Sequence, residues 1–81
     1  MKLHLYGTSA CHLCEEASLM LTSISTEHKL DITEIDIIEN EELLQLYGTT
    51  IPVLLRPDTM QSLNWPFTPQ AIRDFIADKG Q

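Results

Sequence analysis

The sequence predicts an α/β fold: a four-stranded mixed sheet flanked by three helices, in the order β-α-β-α-β-β-α. Three observations predict it. A short apolar strand crosses a turn of small residues into a helical stripe that opens with a cysteine pair. An isoleucine-rich segment, an acidic turn and a leucine-rich segment then follow at lengths that suit a strand and a short helix. A further apolar run is followed at once by a Pro-Asp turn, too short a link for a parallel return, so the last two strands pair as an antiparallel hairpin.

Taken in order, Leu3 to Tyr6 is the first strand and Gly7-Thr8-Ser9-Ala10 the turn. From Cys11 to about Glu27, the residues Leu13, Ala17, Met20, Leu21 and Ile24 recur at helical spacing and give one apolar stripe. His28 and Lys29 near its end suit the negative pole of the helix dipole. Ile32, Ile35, Ile37 and Ile38 make the second strand, and this first β-α-β unit is expected to be parallel with a right-handed crossover. Glu39-Asn40-Glu41-Glu42 suit the first turn of a short helix that carries Leu43, Leu44 and Leu46 and ends at Tyr47-Gly48. Ile51 to Leu55 is the third strand, with Pro52 near its start, where proline is tolerated, and Met60 to Leu63 is the fourth. Thr68 reads as the N-cap of the last helix and Pro69 as its first residue, with Ile72, Phe75 and Ile76 as the buried face and Gly80 as the stop.

A length of 81 residues implies a single domain over 1–81 with one modest core. Every apolar run is broken too soon to span a membrane, and the first residues enter a strand without a leader-like segment, so a cytoplasmic location is expected. Structural disulfides are rare in that compartment, so a close cysteine pair is catalytic, redox-sensing or metal-binding. The net charge is −7, and the five Lys and Arg residues are scattered. Nucleic-acid binding, which needs clustered cations, is excluded. The acids gather in Glu34, Asp36, Glu39, Glu41 and Glu42, a solvated surface that also suits steering of a basic partner. A monomer is expected.

Cys11 and Cys14 are the only cysteines. A cysteine at a helix N-terminus meets unsatisfied N–H groups and the positive end of the dipole, which stabilise its thiolate. Three positions on, Cys14 lies on the same helix face and within disulfide reach. Cys11, nearer the terminus and more exposed, is therefore the expected nucleophile, and the more buried Cys14 the resolving thiol. His12 has two readings: a protonated ring that stabilises the thiolate, or a solvated residue without a catalytic duty. Glu15 and Glu16 suit the dipole but oppose a nearby thiolate. A closed zinc site needs four ligands, and His4 and His28 are not spaced as a second pair, so no metal site within the chain is expected.

Two segments carry a resemblance. Tyr6-Gly7-Thr8-Ser9-Ala10-Cys11-His12-Leu13-Cys14 resembles the lead-in of glutaredoxins, and Tyr47-Gly48-Thr49-Thr50-Ile51-Pro52-Val53-Leu54-Leu55 resembles the segment around that family's cis-proline. With the element order, they resemble the thioredoxin fold in its short, glutaredoxin-like form, over essentially the whole chain. Cys-His-Leu-Cys-Glu-Glu-Ala and the Leu63-Asn64-Trp65-Pro66-Phe67 ending are similar to small glutaredoxin-like proteins of bacteria. The resemblance implies thiol–disulfide exchange between Cys11-Cys14 and protein disulfides, with no bound cofactor. It implies a reductant, either glutathione as co-substrate or thioredoxin reductase, and a cis Pro52 that leaves the Ile51 backbone free to pair with an extended peptide or glutathione. A metal or iron–sulfur centre shared between two molecules stays open.

The departures concern the partner. Glutathione-using members carry a basic residue where this chain has Thr8 or Ser9, and a Gly-Gly followed by acids where it has Leu63-Asn64-Trp65-Pro66-Phe67. Thioredoxins carry a tryptophan where this chain has Ala10 and a buried aspartate where it has Leu5. Tyr6 and Trp65 are candidates to modulate the site, although both also suit packing, as do Tyr47 and Phe67. The alternative to an oxidoreductase is a non-enzymatic module of the same fold whose cysteines sense redox state and whose surface binds a partner.

Overall fold

Alternation along the first strand, β1 (Lys2–Gly7), sends Leu3 and Leu5 to one side and Tyr6 to the other, and the rest of the molecule is arranged around those two sides. In the computed structural model, which describes residues 1–77, β1 is followed by α1 (His12–Ser25), β2 (Asp31–Asp36), α2 (Glu41–Tyr47), β3 (Val53–Arg56), β4 (Gln61–Asn64) and α3 (Pro69–Ala77). The sheet order is β2-β1-β3-β4. β1 pairs in parallel with β2 and antiparallel with β3, and β3 and β4 form the expected antiparallel hairpin.

The first face packs Leu3, Leu5 and Leu54 against Ala17, Leu21 and Ile24 of α1 and Ile72 of α3, with Phe67 completing the cluster. The second packs Tyr6, Val53, Leu55 and Ile37, with Leu43 and Tyr47 of α2 against them. At about 25 cal/mol per Å² of apolar area, each fully buried leucine or isoleucine contributes about 1.5–3 kcal/mol. α1 carries the larger share, which ties the element bearing the cysteines to the sheet.

Several boundaries differ from the sequence reading, each for a local reason. α1 ends at Ser25, so His28 and Lys29 lie beyond its last turn. Leu13 is exposed, because it points away from the face on which Cys14, Ala17, Leu21 and Ile24 are buried. β2 stops at Asp36: its Ile32 and Ile35 serve opposite faces, Ile37 is buried just past the strand, and Ile38 is exposed. Asn40 caps α2 by accepting from the Leu43 N–H at 3.1 Å, and Glu41 and Glu42 lie in its first turn as expected. Gly48 ends that helix in a right-handed conformation, and a Cβ there would run into the Leu44 carbonyl oxygen. Pro52 precedes β3 instead of lying within it. Thr68 caps α3 as expected, its hydroxyl accepting from the Ala71 N–H at 3.1 Å. Gly80 lies outside the described residues.

Arg56, with only 3% of its surface exposed, was not anticipated in the core. At the end of β3 it reaches α3, donating to the Phe75 carbonyl at 2.9 Å, and it holds Asp58 through Nε and Nη2 at 3.2 and 2.9 Å. This fork ties the hairpin to α3. The hydrogen bond from Arg56, with its charge, holds the Asp58 carboxyl below the usual carboxylate range. Glu27 is likewise lowered by the hydrogen bond and charge of Arg73, which clips the turn after α1 to α3.

A depressed carboxyl contributes stability that is present above its unfolded-state pKa and is lost as pH falls through the folded value. Asp58→Asn is therefore expected to lower the melting temperature at neutral pH. Its deficit should shrink as the buffer is taken below the usual aspartate range, where the wild-type carboxylate is protonated too. Melting curves of both proteins across that range check it; a constant deficit at all pH values would refute the assignment.

Candidate redox site

The first turn of α1 sits over the C-terminal end of β1, and the small residues between them make that approach possible. Cys11 is the N-cap, extended at φ −99° and ψ 109°. Its N–H donates to the Thr8 carbonyl at 3.4 Å, and its carbonyl accepts from the Glu15 N–H at 3.2 Å. Its sulfur, in the place of the usual cap oxygen, accepts from the Cys14 N–H at 3.1 Å. Cys11 and Cys14 are paired, their Cα atoms 5.2 Å apart, within the range a disulfide requires. Cys11 is partly exposed, whereas Cys14 is buried at 7%.

Gly7 is what lets Cys14 lie so deep. A Cβ at Gly7 would stand 2.7 Å from the Cys14 sulfur and 3.0 Å from its Cβ, too close for either to remain in place. The β1–β3 register sets Tyr6 opposite Val53, so Pro52 comes level with Gly7. Alternation from Leu54, which packs with α1, puts the buried Pro52 ring on that same face. The Ile51–Pro52 bond is cis, as is Trp65–Pro66, for which the sequence held no signal. The Ile51 N–H donates to the Tyr47 carbonyl at 3.1 Å, and the Pro52 carbonyl accepts from the Trp65 N–H at 3.2 Å.

The remaining candidates divide by face. Tyr6 lies on the side away from α1, stacked on Tyr47 at 4.8 Å between centroids and 22° between planes. Burial, then the neighbouring Tyr47, raises the Tyr6 hydroxyl above its ordinary pKa. Trp65 packs against the α1-side cluster, edge-on to Phe67 at 5.0 Å. His12 is in the first helical turn, its side chain 85% exposed and its Nδ1 3.9 Å from a Glu15 oxygen. Among the described residues, no group of three His, Cys, Asp or Glu side chains is placed to hold a metal ion.

Sequence reasoning missed the groove beside the cysteines. A cavity of about 270 Å³ is lined by Gly7, Thr8, Ser9, Cys14, Glu34 and Asp36, and a second, about 460 Å³, continues past Glu34 to Glu15, Ser18 and Leu19. Both open between α1 and the edge strand β2. Ile51, Pro52 and Cys11 line neither one. The available signal was the parallel pairing of the first β-α-β unit, which sets Asp36 level with Gly7 and Glu34 level with Leu5.

Comparison with known proteins agrees with this geometry. The family model described as the glutaredoxin-like domain (DUF836) matches residues 2–77. No curated protein matches the chain. Among solved structures it is similar to protein XcR50 from X. campestris, at 29% identity over 93% of this chain and 95% of that one, with a TM-score of 0.82. It is similar to protein Ne2328 from Nitrosomonas europaea at 31% identity, over 91% of this chain and 88% of that one, with a TM-score of 0.80. Thioredoxin 1 from Thermosipho africanus, 21% identical over 95% of this chain and 96% of that one with a TM-score of 0.68, shares the fold. The sheet order and the three helices are those of the thioredoxin fold.

The Gly7 contact gives a direct test. Gly7→Ala is expected to destabilise the protein by about 1–3 kcal/mol, the usual cost of overpacking a filled site, as read by urea denaturation. Cys14→Ala placed in that background removes the clashing sulfur and should recover part of the loss. Strictly additive effects of the two substitutions would show that the contact does not limit the site.

Proposed function

This chain belongs to the glutaredoxin-like domain family, and from that premise we propose that it is a thiol–disulfide oxidoreductase acting on protein disulfides through Cys11 and Cys14. The observation that carries the reading is the sulfur cap of α1. The Cys14 N–H and the helix N-terminus both face the Cys11 sulfur, and a thiolate there gains a charge-assisted hydrogen bond and a favourable dipole. Both effects favour the thiolate, which is the attacking form, over the thiol.

In the reduced protein, Cys11 thiolate attacks one sulfur of the substrate disulfide. That S–S bond breaks, a mixed disulfide forms, and the departing thiolate takes up a proton. Cys14 then loses its proton and attacks the Cys11 sulfur, which releases the second substrate thiol and leaves the Cys11–Cys14 disulfide. The substrate has gained two electrons and two protons, one proton from Cys14 and one from solvent. An external thiol reductant, glutathione or the dithiol of a thioredoxin reductase, returns the electrons to the cysteine pair. Burial of Cys14 supports its assignment as the resolving group, since it meets the Cys11 sulfur more readily than solvent.

Ile51 and Pro52 form the substrate-facing edge in this reading. The Ile51 N–H is already taken by Tyr47, so the group offered to an incoming backbone N–H is the Ile51 carbonyl, which accepts no hydrogen bond among the described residues. His12, with Glu15 beside it, stands exposed at the rim of the site.

Cys14→Ser, which halts the cycle at the mixed disulfide, is expected to trap Cys11-linked proteins from a cell extract, and Cys11→Ser to trap none. Wild type should accelerate reduction of a protein disulfide when supplied with one of the two reductants, and Cys11→Ser should fall to the uncatalysed rate. Failure of both trapping and turnover would remove the oxidoreductase reading and leave the redox-sensing module.

A further inference from the structure

We propose that this dithiol selects its substrates by charge. It exchanges faster with cationic disulfides, such as those flanked by lysine or arginine, than with anionic ones such as oxidised glutathione. The inference rests on the exchange reading above and names its substrate class.

The argument starts from the groove between α1 and β2, whose floor is the Cys14 residue that takes part in every turnover. A disulfide presented to Cys11 has two arms, and the groove is open space beside the cysteine pair for one of them. Its polar lining has one sign. Glu34 and Asp36 project from β2 on the α1 side, since they share register and face with Leu5 and Gly7, and Glu15 stands on the helix side. Glu34 borders both cavities. One Asp36 oxygen accepts from the Ile38 N–H at 2.9 Å, which fixes the carboxylate at the groove mouth.

The described lysines and arginines are elsewhere, and His12, the basic side chain at the rim, stands 3.9 Å from the Glu15 carboxylate. Lys2 pairs in register with Asp31 at the opposite end of β1, and Lys29 lies beside it, where its carbonyl accepts from the Met1 amine. Arg56 and Arg73 are held by Asp58 and Glu27. The redox end is thus acidic, while the lysines and arginines at the far end stand among Asp31, Glu27 and Asp58. An approaching anionic arm meets three carboxylates and the nascent thiolate, while a cationic arm is attracted by all four. Clefts lined by one sign of charge raise association rates by about ten- to a thousandfold, and this open groove belongs at the low end of that range.

The test measures oxidation of the pre-reduced protein by three disulfides: cystamine, which is dicationic; hydroxyethyl disulfide, which is neutral; and oxidised glutathione. Each rate is divided by that of dithiothreitol, a neutral dithiol, with the same disulfide, which removes intrinsic reactivity. Corrected rates are expected to fall from cystamine to neutral to glutathione, with at least about a fivefold span in low salt. The span should collapse near 1 M salt, where the Debye length is about 3 Å. It should also shrink in Glu34→Gln/Asp36→Asn, where the Asn amide oxygen can keep the Ile38 bond. It should persist in Glu41→Gln/Glu42→Gln, which removes equal charge from α2 on the other face of the sheet. A brisk reaction with the neutral disulfide but no ordering by charge, or an ordering that the Glu34/Asp36 variant leaves intact, would overturn the inference and spare the exchange reading. No reaction with any of the three above the Cys11→Ser background would overturn both.

Discussion

The hydrogen bond from the Cys14 N–H to the Cys11 sulfur closes a helix and holds the atom to which the proposed exchange assigns the attack. Sulfur is a weak acceptor, and the other two helices use ordinary oxygen caps, Asn40 for α2 and Thr68 for α3. An oxygen cap contributes about 1 kcal/mol over alanine, so α1 forgoes part of that stabilisation at its first turn. What it gains is a cap whose strength depends on chemistry. A Cys11 thiolate is a charged acceptor and holds the N–H more strongly than a disulfide sulfur does. The turn that carries the cysteine pair is therefore the one least stabilised by its cap and most dependent on packing further along. Ala17, Leu21 and Ile24, buried against Leu3 and Leu5, supply that packing.

Gly7 is the counterpart of that cap on the sheet. Because it has no side chain, the helix can settle until the Cys14 sulfur touches the β1 backbone, and the level of Pro52 follows from the same strand register. The cysteine pair and Pro52 lie toward the α1 face as a result, while the side chains of Tyr6, Tyr47 and Ile51 gather on the α2 face. The Ile51 N–H, tied to the end of α2, is the link between the two sides.

The sequence conveyed most of this because its strongest signals were local. The stripe from Ala17 to Ile24, the Thr68-Pro69 start and the Pro57-Asp58 turn each state a backbone preference that tertiary packing did not overrule. Leu13, Leu44 and Leu46 were misleading for one reason: hydrophobicity marks a residue that can be buried, and here each lies on a helix face that no other element covers fully. Arg56 was hidden in an apolar run, where a charged residue reads as the end of a strand. Its meaning depends on Phe75, which is nineteen residues away and visible only after folding. The groove was illegible for a similar reason. Glu34 and Asp36 read as a solvated run until the parallel register placed them beside Gly7 and Cys14.

Those two carboxylates also have a duty that owes nothing to substrate. β2 is an edge strand, and charged side chains on an edge discourage pairing with another chain. Edge protection, however, is indifferent to sign and to position along the strand. Lysine would serve as well, and the best place would be wherever the edge is most apolar. The arrangement here is otherwise. On its α1 side β2 runs from Ile32, which packs against the core, to Glu34 and then Asp36, so acidity rises toward the redox end. Across the groove, Glu15 has the same sign although it stands on a helix and guards no edge. A like-charged helix and strand facing one another repel, a cost that edge protection alone gives no reason to bear. Carboxylates on both walls, with the cysteine pair between them, are instead what a site needs if it is to admit a cationic arm and turn an anionic one away.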